Sequence, residues 1–431
     1  MSPARAPTAR RKPHVLVIST QDLLPPTSGG VIRAFHLVEQ MAKSCRCTVM
    51  QTSRCPDSEA TRPYLERLAG VRIRSSDEPA ARPGRLNIPG RVRRKWWRIR
   101  LRRIMEPWRG DPLQQWYGPL YHWYPVLGPF LRDDPPDVAV MEHVWHVETF
   151  AFLRRLCPGV RCVLNAYDIE TVLRERCFGG GDAVSRMRLA RVRRLESTLS
   201  RHVDEVWTCS AQDAAALRSM NGRQAPSMTV VPNGVDTRYW QFRPERNGAG
   251  VRQLVFVGTL DYRPNSDGIR WFVENVWPCL TGLRLIVAGR NPTRELREWL
   301  ARDGRIELRA DVPDVRPLLG AGAISICPLH AGSGTRLKIL EAMSAGVPVV
   351  STTQGAEGID VTPGEHLLLA DDPRGFAAMI ERLVGDAALY ERIRIAARRL
   401  VEHRYSWDRI GQVARSRVEA AAGQPSRGPA P

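Results

Sequence analysis

Short apolar runs alternate along this chain with segments in which apolar residues recur at helical spacing. The first run spans 14–19, and it is followed by an amphipathic segment in which Ile32, Phe35, Val38 and Met41 fall on one helix face. Similar runs predict buried strands at 137–141, 161–164, 205–208, 254–258, 283–289, 306–308, 323–327 and 347–351. Buried strands that alternate with helices are typical of a parallel sheet with helices on both faces.

The pattern divides into two α/β series near residue 240. A chain of 431 residues is long for one hydrophobic core, so two domains are expected. We predict a first domain over 13–238, a second over 250–403, a final helix over 404–420 that returns toward the first domain, and disordered tails at 1–12 and 421–431. Two doubly wound domains would face each other across a cleft at the carboxyl edges of their sheets, where ligands bind in such folds.

Several classes of protein are excluded by simple features. No apolar run approaches the roughly 20 residues that span a bilayer, and the run after the basic N-terminus is too short for a signal peptide. The nine cysteines include no Cys-x-x-Cys pair, which argues against a zinc site or a disulfide framework. These features favour a cytoplasmic protein without a metal site.

The charge is high and unevenly distributed. The formal net charge is +19, with 38 basic and 23 acidic residues over 1–240 but 26 and 22 over 241–431. This asymmetry indicates an anionic partner for the first half, such as phosphates, nucleic acid or a membrane surface. A GC-rich genome, which favours arginine codons, explains the charge equally well.

Much of this charge lies in a segment, 82–130, that breaks the α/β pattern. Between 85 and 109 it holds ten cations and one acid, and tryptophan and aliphatic residues recur there at helical spacing; the aromatic run continues to Tyr124. Such a helix suits an anionic membrane interface. The residues expected to contact the membrane are Arg93, Arg94, Lys95, Trp96, Trp97 and Arg98. The alternative is a helix packed on the sheet.

The segment with the most specific chemistry runs from Cys327 to Met343. A buried strand leads into a Gly/Ser loop and then a helix, so the backbone N–H groups of Gly334 and Thr335 are available at a positive helix end. Arg336 and Lys338 add two cations to this turn, although cations oppose the helix dipole there. An anion such as a diphosphate would offset that cost. The alternative is a solvated Lys–Glu pair between Lys338 and Glu341.

This segment resembles the nucleotide-binding segment of family-4 retaining glycosyltransferases of the GT-B fold, in the variant Gly-x-Gly-Thr-Arg-Leu-Lys-x-Leu-Glu. Further resemblance lies in 25–33, 230–236, 256–260 and 346–350. It extends over 13–420 and implies two Rossmann-like domains, a nucleotide-sugar donor and no bound metal or other cofactor. It also implies a role in bacterial polysaccharide or lipid-glycan synthesis.

The resemblance implies roles for individual residues. Glu341 matches the second Glu of the Glu-x7-Glu motif, which binds the ribose, and Arg336 and Lys338 resemble the diphosphate cations of this variant. Gly29 and Gly30 resemble the loop that closes over phosphate or acceptor. Arg290 lies where the family positions the base.

Three departures from the family pattern are expected to affect the site. Ser333 stands where the first Glu of the motif usually touches the donor sugar. Thr259 and Asn265 stand where many members have the Arg and Lys that grip the diphosphate, so we interpret Arg336 and Lys338 as replacements. Tyr167 stands where relatives carry a His.

Three further residues are weaker candidates. Asp168 and His143 follow buried strands and are placed with the catalytic group, although a His at a strand end is more often structural. Glu357, after the next strand of the second domain, is expected to reach the donor.

In retaining transfer the leaving diphosphate can take the acceptor proton, so the enzyme mainly stabilises negative charge.

The resulting hypothesis is a metal-independent retaining glycosyltransferase that acts on a glycan or lipid-linked acceptor at the inner face of the plasma membrane. Three alternatives stay open: a sugar-nucleotide 2-epimerase of the same architecture, a non-catalytic sugar-nucleotide binder, and a nucleic-acid binder. The last lacks a recognition motif, and nucleic acid is not an expected partner.

Overall fold

The computed structural model describes residues 11–55, 57–76, 120, 123–178, 182–242, 250–320 and 322–423. Within them lie two parallel sheets, each covered by helices, as the alternation of apolar runs predicts. The residues expected to contact a membrane, Arg93 to Arg98, lie outside the described residues.

The first sheet has seven strands: β1 His14–Ile18, β2 Arg46–Gln51, β3 Arg72–Ser75, β4 Val138–Met141, β5 Arg161–Ala166, β6 Glu205–Thr208 and β7 Ser227–Val230. Their order is β3-β2-β1-β4-β5-β6-β7, and neighbours are parallel. The helices are α1 Gly29–Ala42, α2 Arg62–Arg67, α3 Tyr124–Asp133, α4 Phe150–Leu156, α5 Glu170–Phe178, α6 Ala183–Glu196 and α7 Ala211–Asn221, with a 3-10 helix at Val144–Thr149.

The second sheet has six strands: β8 Gln253–Val257, β9 Arg284–Gly289, β10 Ile306–Ala310, β11 Ala323–Cys327, β12 Val349–Ser351 and β13 Leu368–Leu369. Their order is β10-β9-β8-β11-β12-β13, also parallel. The helices are α8 Arg263–Asn275, α9 Arg294–Leu300, α10 Leu337–Ala345, α11 Pro373–Gly385, α12 Ala387–Leu400 and α13 Trp407–Ala422, with a π-helical turn at Val401–Tyr405.

The strand order reverses beside β1 in the first sheet and beside β8 in the second. All five residues of β1 and of β11 are buried, because helices cover both faces of each sheet. The crevice of a doubly wound sheet opens at the carboxyl ends of the strands where the order reverses. The segments after β1, β4, β8 and β11 are therefore the ones placed at the cleft.

The final helix, α13, lies against α1 of the first domain. The Trp407 indole stacks on the His36 ring at a centroid distance of 4.7 Å, and Asp408 accepts hydrogen bonds from Gln40 and Lys43. The helix extends two residues past the expected end at 420, because Ala421 is buried against the core. At the other end, Arg11, expected in a tail, donates to Asp137 at 2.8 Å.

The segment expected as a basic, aromatic insertion, 82–130, is described only near its end. Trp123 is 1% exposed and opens α3, and Tyr124 stacks on Phe152 at 3.6 Å. Extension of the membrane-facing aromatic run to these two residues was therefore wrong, because both pack on the first domain. No helix of the described residues is long and apolar enough to cross a membrane.

Candidate nucleotide-sugar site

The glycine loop, which we define as residues 332–336, connects β11 to α10 and lies against the first domain. Gly332 and Gly334 have φ values of +115° and +70°, a region that favours glycine. A Cβ at Gly334 would lie 2.3 Å from the carbonyl oxygen of Tyr167. Only glycine therefore allows this approach, and the loop forms one wall of a site between the domains.

Lys338 reaches from α10 to the carboxyl end of β8. Its Nζ donates to Asn265 Oδ1 at 2.7 Å and lies 4.3 Å from the centroid of the Phe256 ring. A Cβ at Gly258 would come within 2.9 Å of the same nitrogen, so this glycine leaves room for it. Burial lowers the pKa of Lys338 to about 8. The ammonium is thus held at one point, beside the side chain at position 265.

Glu341 lies one turn further along α10. Burial raises the pKa of its carboxyl to about 7, and the neighbouring Lys338 acts in the opposite direction. Lys338 donates to Asn265 rather than to Glu341, and the carboxyl forms no hydrogen bond or ion pair with any described residue. It is therefore available to accept hydrogen bonds from ligand hydroxyls.

Arg336, at the N-cap position of α10, folds back on its own loop. Its Nη1 donates to the carbonyl oxygens of Ser333 and Gly334. Its Nη2 is buried and has no hydrogen-bond partner within the described part of the chain. Arg336 therefore stabilises the glycine loop with one nitrogen and keeps another for a ligand. Asp168 lies nearby, and burial raises the pKa of its carboxyl well above the usual range.

Two other loop residues contact the first domain. Ser333 Oγ accepts from the backbone N–H of Ile169 at 3.0 Å, and the Thr335 carbonyl accepts from Asn233 Nδ2 at 3.4 Å. The Thr335 hydroxyl is buried without a described partner. In this closed arrangement Ser333 joins the two domains. In the family, the Glu that usually stands at this position contacts the donor sugar instead.

The first domain presents the N-terminus of α1 to the same cleft. Ser28 precedes the helix without a side-chain cap, so the first-turn N–H groups of Gly29 and Gly30 have no side-chain acceptor. A Cβ at Gly29 would lie 3.6 Å from Leu337, the first residue of α10. Two helix N-termini therefore meet across the cleft, an arrangement that favours an anion between them.

His143 and Tyr167, at the ends of β4 and β5, form a pair. The Tyr167 hydroxyl and His143 Nε2 are 2.9 Å apart. Burial lowers the pKa of His143 to about 4 and raises the pKa of Tyr167 well above its usual range, so both are neutral at neutral pH. The Tyr167 ring also fills the space beside Gly30, where a Cβ would lie 3.1 Å from it.

Glu357, which is predicted to reach the donor, forms an ion pair with the first domain in this structure. Arg176 of α5 donates to its carboxylate at 2.6 Å and to the Gly332 carbonyl at 2.9 Å. Burial acts to raise the pKa of Glu357, but Arg176 outweighs it and the pKa is lowered. Arg176 is thus a clamp between the domains.

The remaining candidates lie at the same edge of the second sheet. The Thr259 carbonyl accepts from Asn265 Nδ2 at 2.8 Å, so Thr259 fixes the amide that holds Lys338. Arg290, after β9, has an exposed side chain without a described partner, and its carbonyl accepts from Leu260 N–H at 2.8 Å. Among the described residues, no group of three His, Cys, Asp or Glu could hold a metal ion.

Sequence reasoning missed three polar residues at this junction: Arg33, Arg176 and Asn233. Arg33 is fully buried and donates to Asn165, Asn233 and the Pro232 carbonyl. Its one sequence signal is a charged residue amid the apolar positions of α1. The partners of all three come from distant parts of the chain, which periodicity cannot connect.

Comparison with known families bears on this geometry. The model for the "Glycosyl transferase 4-like domain" matches residues 28–234, and the model for "Glycosyl transferases group 1" matches residues 251–386. Together the two matches cover strands β2 to β13, and the second includes the glycine loop. The chain belongs to the family-4 glycosyltransferases.

Curated relatives of this family-4 glycosyltransferase include glycogen synthase of Mycobacterium tuberculosis, 29% identical over 252 residues. That match covers 56% of this chain and 59% of the relative. The lipopolysaccharide core mannosyltransferase LpsB of Rhizobium meliloti is 29% identical over 222 residues, covering 46% of this chain and 59% of LpsB. Each match thus spans less than two thirds of the relative.

Solved structures confirm the GT-B architecture of the family-4 glycosyltransferase. The Anabaena protein HepE in complex with UDP-glucose superposes with a TM-score of 0.66 at 14% identity, covering 94% of this chain and 99% of HepE. Sucrose-phosphate synthase of Thermosynechococcus elongatus gives 0.71 at 18% identity, covering 96% and 100%. At such identities the likeness concerns the fold alone.

Proposed function

We propose that this chain transfers a sugar, with retention of configuration, from a nucleoside-diphosphate donor to a glycan or lipid-linked acceptor. The observation that carries the proposal is the Lys338 ammonium, held by Asn265 and Phe256 where α10, β8 and the N-terminus of α1 converge. A cation beside two helix N-termini suits a diphosphate.

The donor is proposed to lie along α10. Lys338, the free Nη2 of Arg336 and the N–H groups of Gly334 and Thr335 would take the diphosphate, opposite Gly29 and Gly30. Glu341 would accept hydrogen bonds from the ribose, and Arg290 lies on the side proposed for the base. HepE was solved with UDP-glucose, which supports a nucleotide sugar as the ligand class.

The proposed reaction takes place on one face of the sugar. The bond from the anomeric carbon to the diphosphate oxygen breaks, the acceptor oxygen bonds to that carbon, and its proton passes to the departing diphosphate. Lys338 and Arg336 stabilise the negative charge that develops. Burial raises the pKa of the Asp168 carboxyl well above its usual range, which favours a role as a hydrogen-bond donor to sugar hydroxyls over a role as a nucleophile. His143 is neutral as well, and we propose that it acts on sugar hydroxyls through its hydrogen bond with Tyr167.

The site of action is proposed to be the cytosolic face of a membrane. One relative, LpsB, bears the name of a lipopolysaccharide core mannosyltransferase, and the positive charge of residues 1–240 suits an anionic surface. Lys338 and Arg336 supply positive charge at the diphosphate, so we propose that no metal is required. Turnover should then persist after dialysis against EDTA.

The first test is a thermal-shift panel of UDP-, GDP-, ADP- and dTDP-sugars, since a ligand of the folded state raises the melting temperature. The best donor is then assayed for nucleoside-diphosphate release with extracted lipid-linked glycans. Lys338→Ala should lower release about 100-fold or more, whereas Lys43→Ala, at the far end of α1, should leave it unchanged. Release that does not depend on acceptor, or normal turnover by Lys338→Ala, would contradict the proposal.

A further inference from the structure

A buried cation lies behind the proposed diphosphate site. Arg33, in the second turn of α1, is 0% exposed, and its guanidinium donates at 2.8–3.1 Å to three neutral oxygens. It forms no ion pair with a carboxylate in the described part of the chain. Burial of a cation without a counterion is unfavourable. Packing of the first domain alone therefore does not explain why this position carries a charge.

The contacts of Arg33 connect it to both walls of the cleft. Helix α1 begins one turn before Arg33 with the uncapped N–H groups of Gly29 and Gly30. The charge of Arg33 therefore adds to the positive end of α1. Its Nη1 donates to Asn233 Oδ1 at 3.1 Å, and Asn233 Nδ2 donates to the Thr335 carbonyl at 3.4 Å. Arg33 thus supports the glycine loop as well as the helix end.

An acid lies on the other side of Arg33. Glu142, directly after β4, is 3% exposed and accepts from Asn165 Nδ2 at 3.0 Å, while Asn165 Oδ1 accepts from Arg33 Nε and Nη2. Asn165 therefore separates the carboxyl from the guanidinium. The titratable groups around Glu142 are Arg33 from α1, Tyr167 from the end of β5 and the adjacent His143, and the last two are neutral.

The charge of Glu142 changes near neutral pH. Burial raises the pKa of its carboxyl to about 7, against the opposing effects of Asn165 and Arg33. Below that pH the carboxyl is neutral and the charge of Arg33 is unopposed. Above it, a carboxylate lies one amide away from the guanidinium.

We propose that Arg33 supplies positive charge to the diphosphate site from behind α1, and that Glu142 regulates this charge by neutralising Arg33 when it ionises. The inference rests on the proposed function, because it requires a nucleoside diphosphate between the domains. Both residues act at a distance, so they are positioning residues. Two unit charges on the order of 10 Å apart in partly screened protein interact strongly enough to change an affinity by about fivefold, so an effect of that size is expected.

The test uses the full chain with Glu142→Gln, which keeps an acceptor for Asn165 but cannot ionise. Kd values for UDP, GDP, ADP and dTDP are measured by calorimetry from pH 6 to 8.5. Wild type and variant should bind the best nucleotide equally at pH 6, and wild type should bind about fivefold more weakly than the variant at pH 8.5. Lys338 titrates in both proteins, so the difference reports Glu142. Glu205 is another buried acid, at the amino end of β6, and Glu205→Gln should follow wild type.

A second variant tests the same proposal from the other side. Asn165→Asp places a carboxylate against Arg33 without a change in shape, and binding should already be weaker at pH 6. Coincident pH profiles of Glu142→Gln and wild type would overturn the proposal, as would unchanged binding by Asn165→Asp. If Glu142→Gln does not fold, Asn165→Asp decides alone. Failure of wild type to bind any of the four nucleotides would instead overturn the proposed function, and this inference with it.

Discussion

At the scale of single residues, the site has one ammonium group, and two neighbouring positions, 338 and 265, from which a lysine could supply it. Lys338 Nζ lies 2.7 Å from Oδ1 of Asn265, the position at which many family members are expected to carry a cation. A lysine on α10 therefore delivers its charge to the carboxyl end of β8, beside the residue that it is interpreted to replace. The family resemblance suggested this replacement, and the distance gives it a geometric basis.

This geometry predicts that the two side chains can be exchanged. Lys338→Asn should lower kcat/KM about 100-fold, and Asn265→Lys alone should also impair binding, because two ammonium groups would compete for one place. The double variant Asn265→Lys/Lys338→Asn should recover to within about tenfold of wild type. Steady-state release of nucleoside diphosphate measures this. A double variant no better than Lys338→Asn would show that the two positions are not equivalent.

Lys338 should also lower the stability of the unliganded protein. Its pKa is lowered from 10.5 to about 8, so between those values the unfolded chain binds more protons and stability rises with pH. Lys338→Met should therefore raise Tm by about 1–3 °C at pH 7, with a gain that shrinks as the pH approaches 10. Scanning calorimetry at several pH values checks this. A lower Tm for the variant at pH 7 would mean that the Asn265 bond outweighs desolvation.

At the scale of elements, the carboxyl-terminal helix belongs structurally to the first domain. The segment before α13 runs beside the linker, with Val235 N–H donating to the Tyr405 carbonyl at 2.7 Å, and Trp407 then stacks on His36 of α1. Gly234 leaves room for this indole, since a Cβ there would lie 2.7 Å from Trp407 Cδ2. The helix that presents Gly29 and Gly30 is therefore buttressed from the end of the chain.

Trp407→Ala should accordingly destabilise the fold by about 3–5 kcal/mol, because it opens a cavity at this junction. Trp407→Phe keeps part of the stack and should cost less. Denaturant unfolding followed by circular dichroism measures both values. Equal stability of Trp407→Ala and wild type would indicate that α13 is not needed for the first domain.

Elements were predictable where their pattern was long and buried. The apolar periodicity of α1 was recognised from the sequence, and the final helix, α13, was predicted to within a few residues. The edge strands β3, β7 and β13 were not predicted, because they are short and partly exposed and lack a continuous apolar run. The end of the aromatic segment was misread, because Trp and Tyr serve equally in a core and at a membrane interface.

At the scale of the whole molecule, α5 holds the two domains together over the glycine loop. The Ile169 N–H, directly before the helix, binds Ser333, and Arg176 near its end binds Gly332 and Glu357. The carbonyl of Tyr167 and the backbone of Gly334 consequently lie in close contact. These contacts stabilise the closed arrangement of the cleft.

Arg176→Met should therefore shift the unliganded protein toward open forms. The radius of gyration from small-angle scattering should increase, and the apparent nucleotide Kd should rise severalfold, since a smaller fraction of molecules is competent to bind. Arg193→Met removes an exposed ion pair with Glu175 away from the cleft and serves as the control. Scattering curves of Arg176→Met that match the control would contradict a clamping role.

The sequence by itself determined the local physics of this protein: two series of buried parallel strands, a glycine loop before a helix, and the candidate roles of Lys338 and Glu341. These features depend on residues that are close in the chain. Only the tertiary structure decided that Lys338 reaches Asn265, that Arg176 forms an ion pair with Glu357, and that Arg33 and Glu142 lie behind the site. Lys338 and Asn265 are 73 positions apart within the second domain, and Arg33 is 132 positions from Asn165 within the first, so folding of each domain brings these pairs together. Arg176 and Glu357 are 181 positions apart and lie in different domains, so only packing of the two domains brings them together.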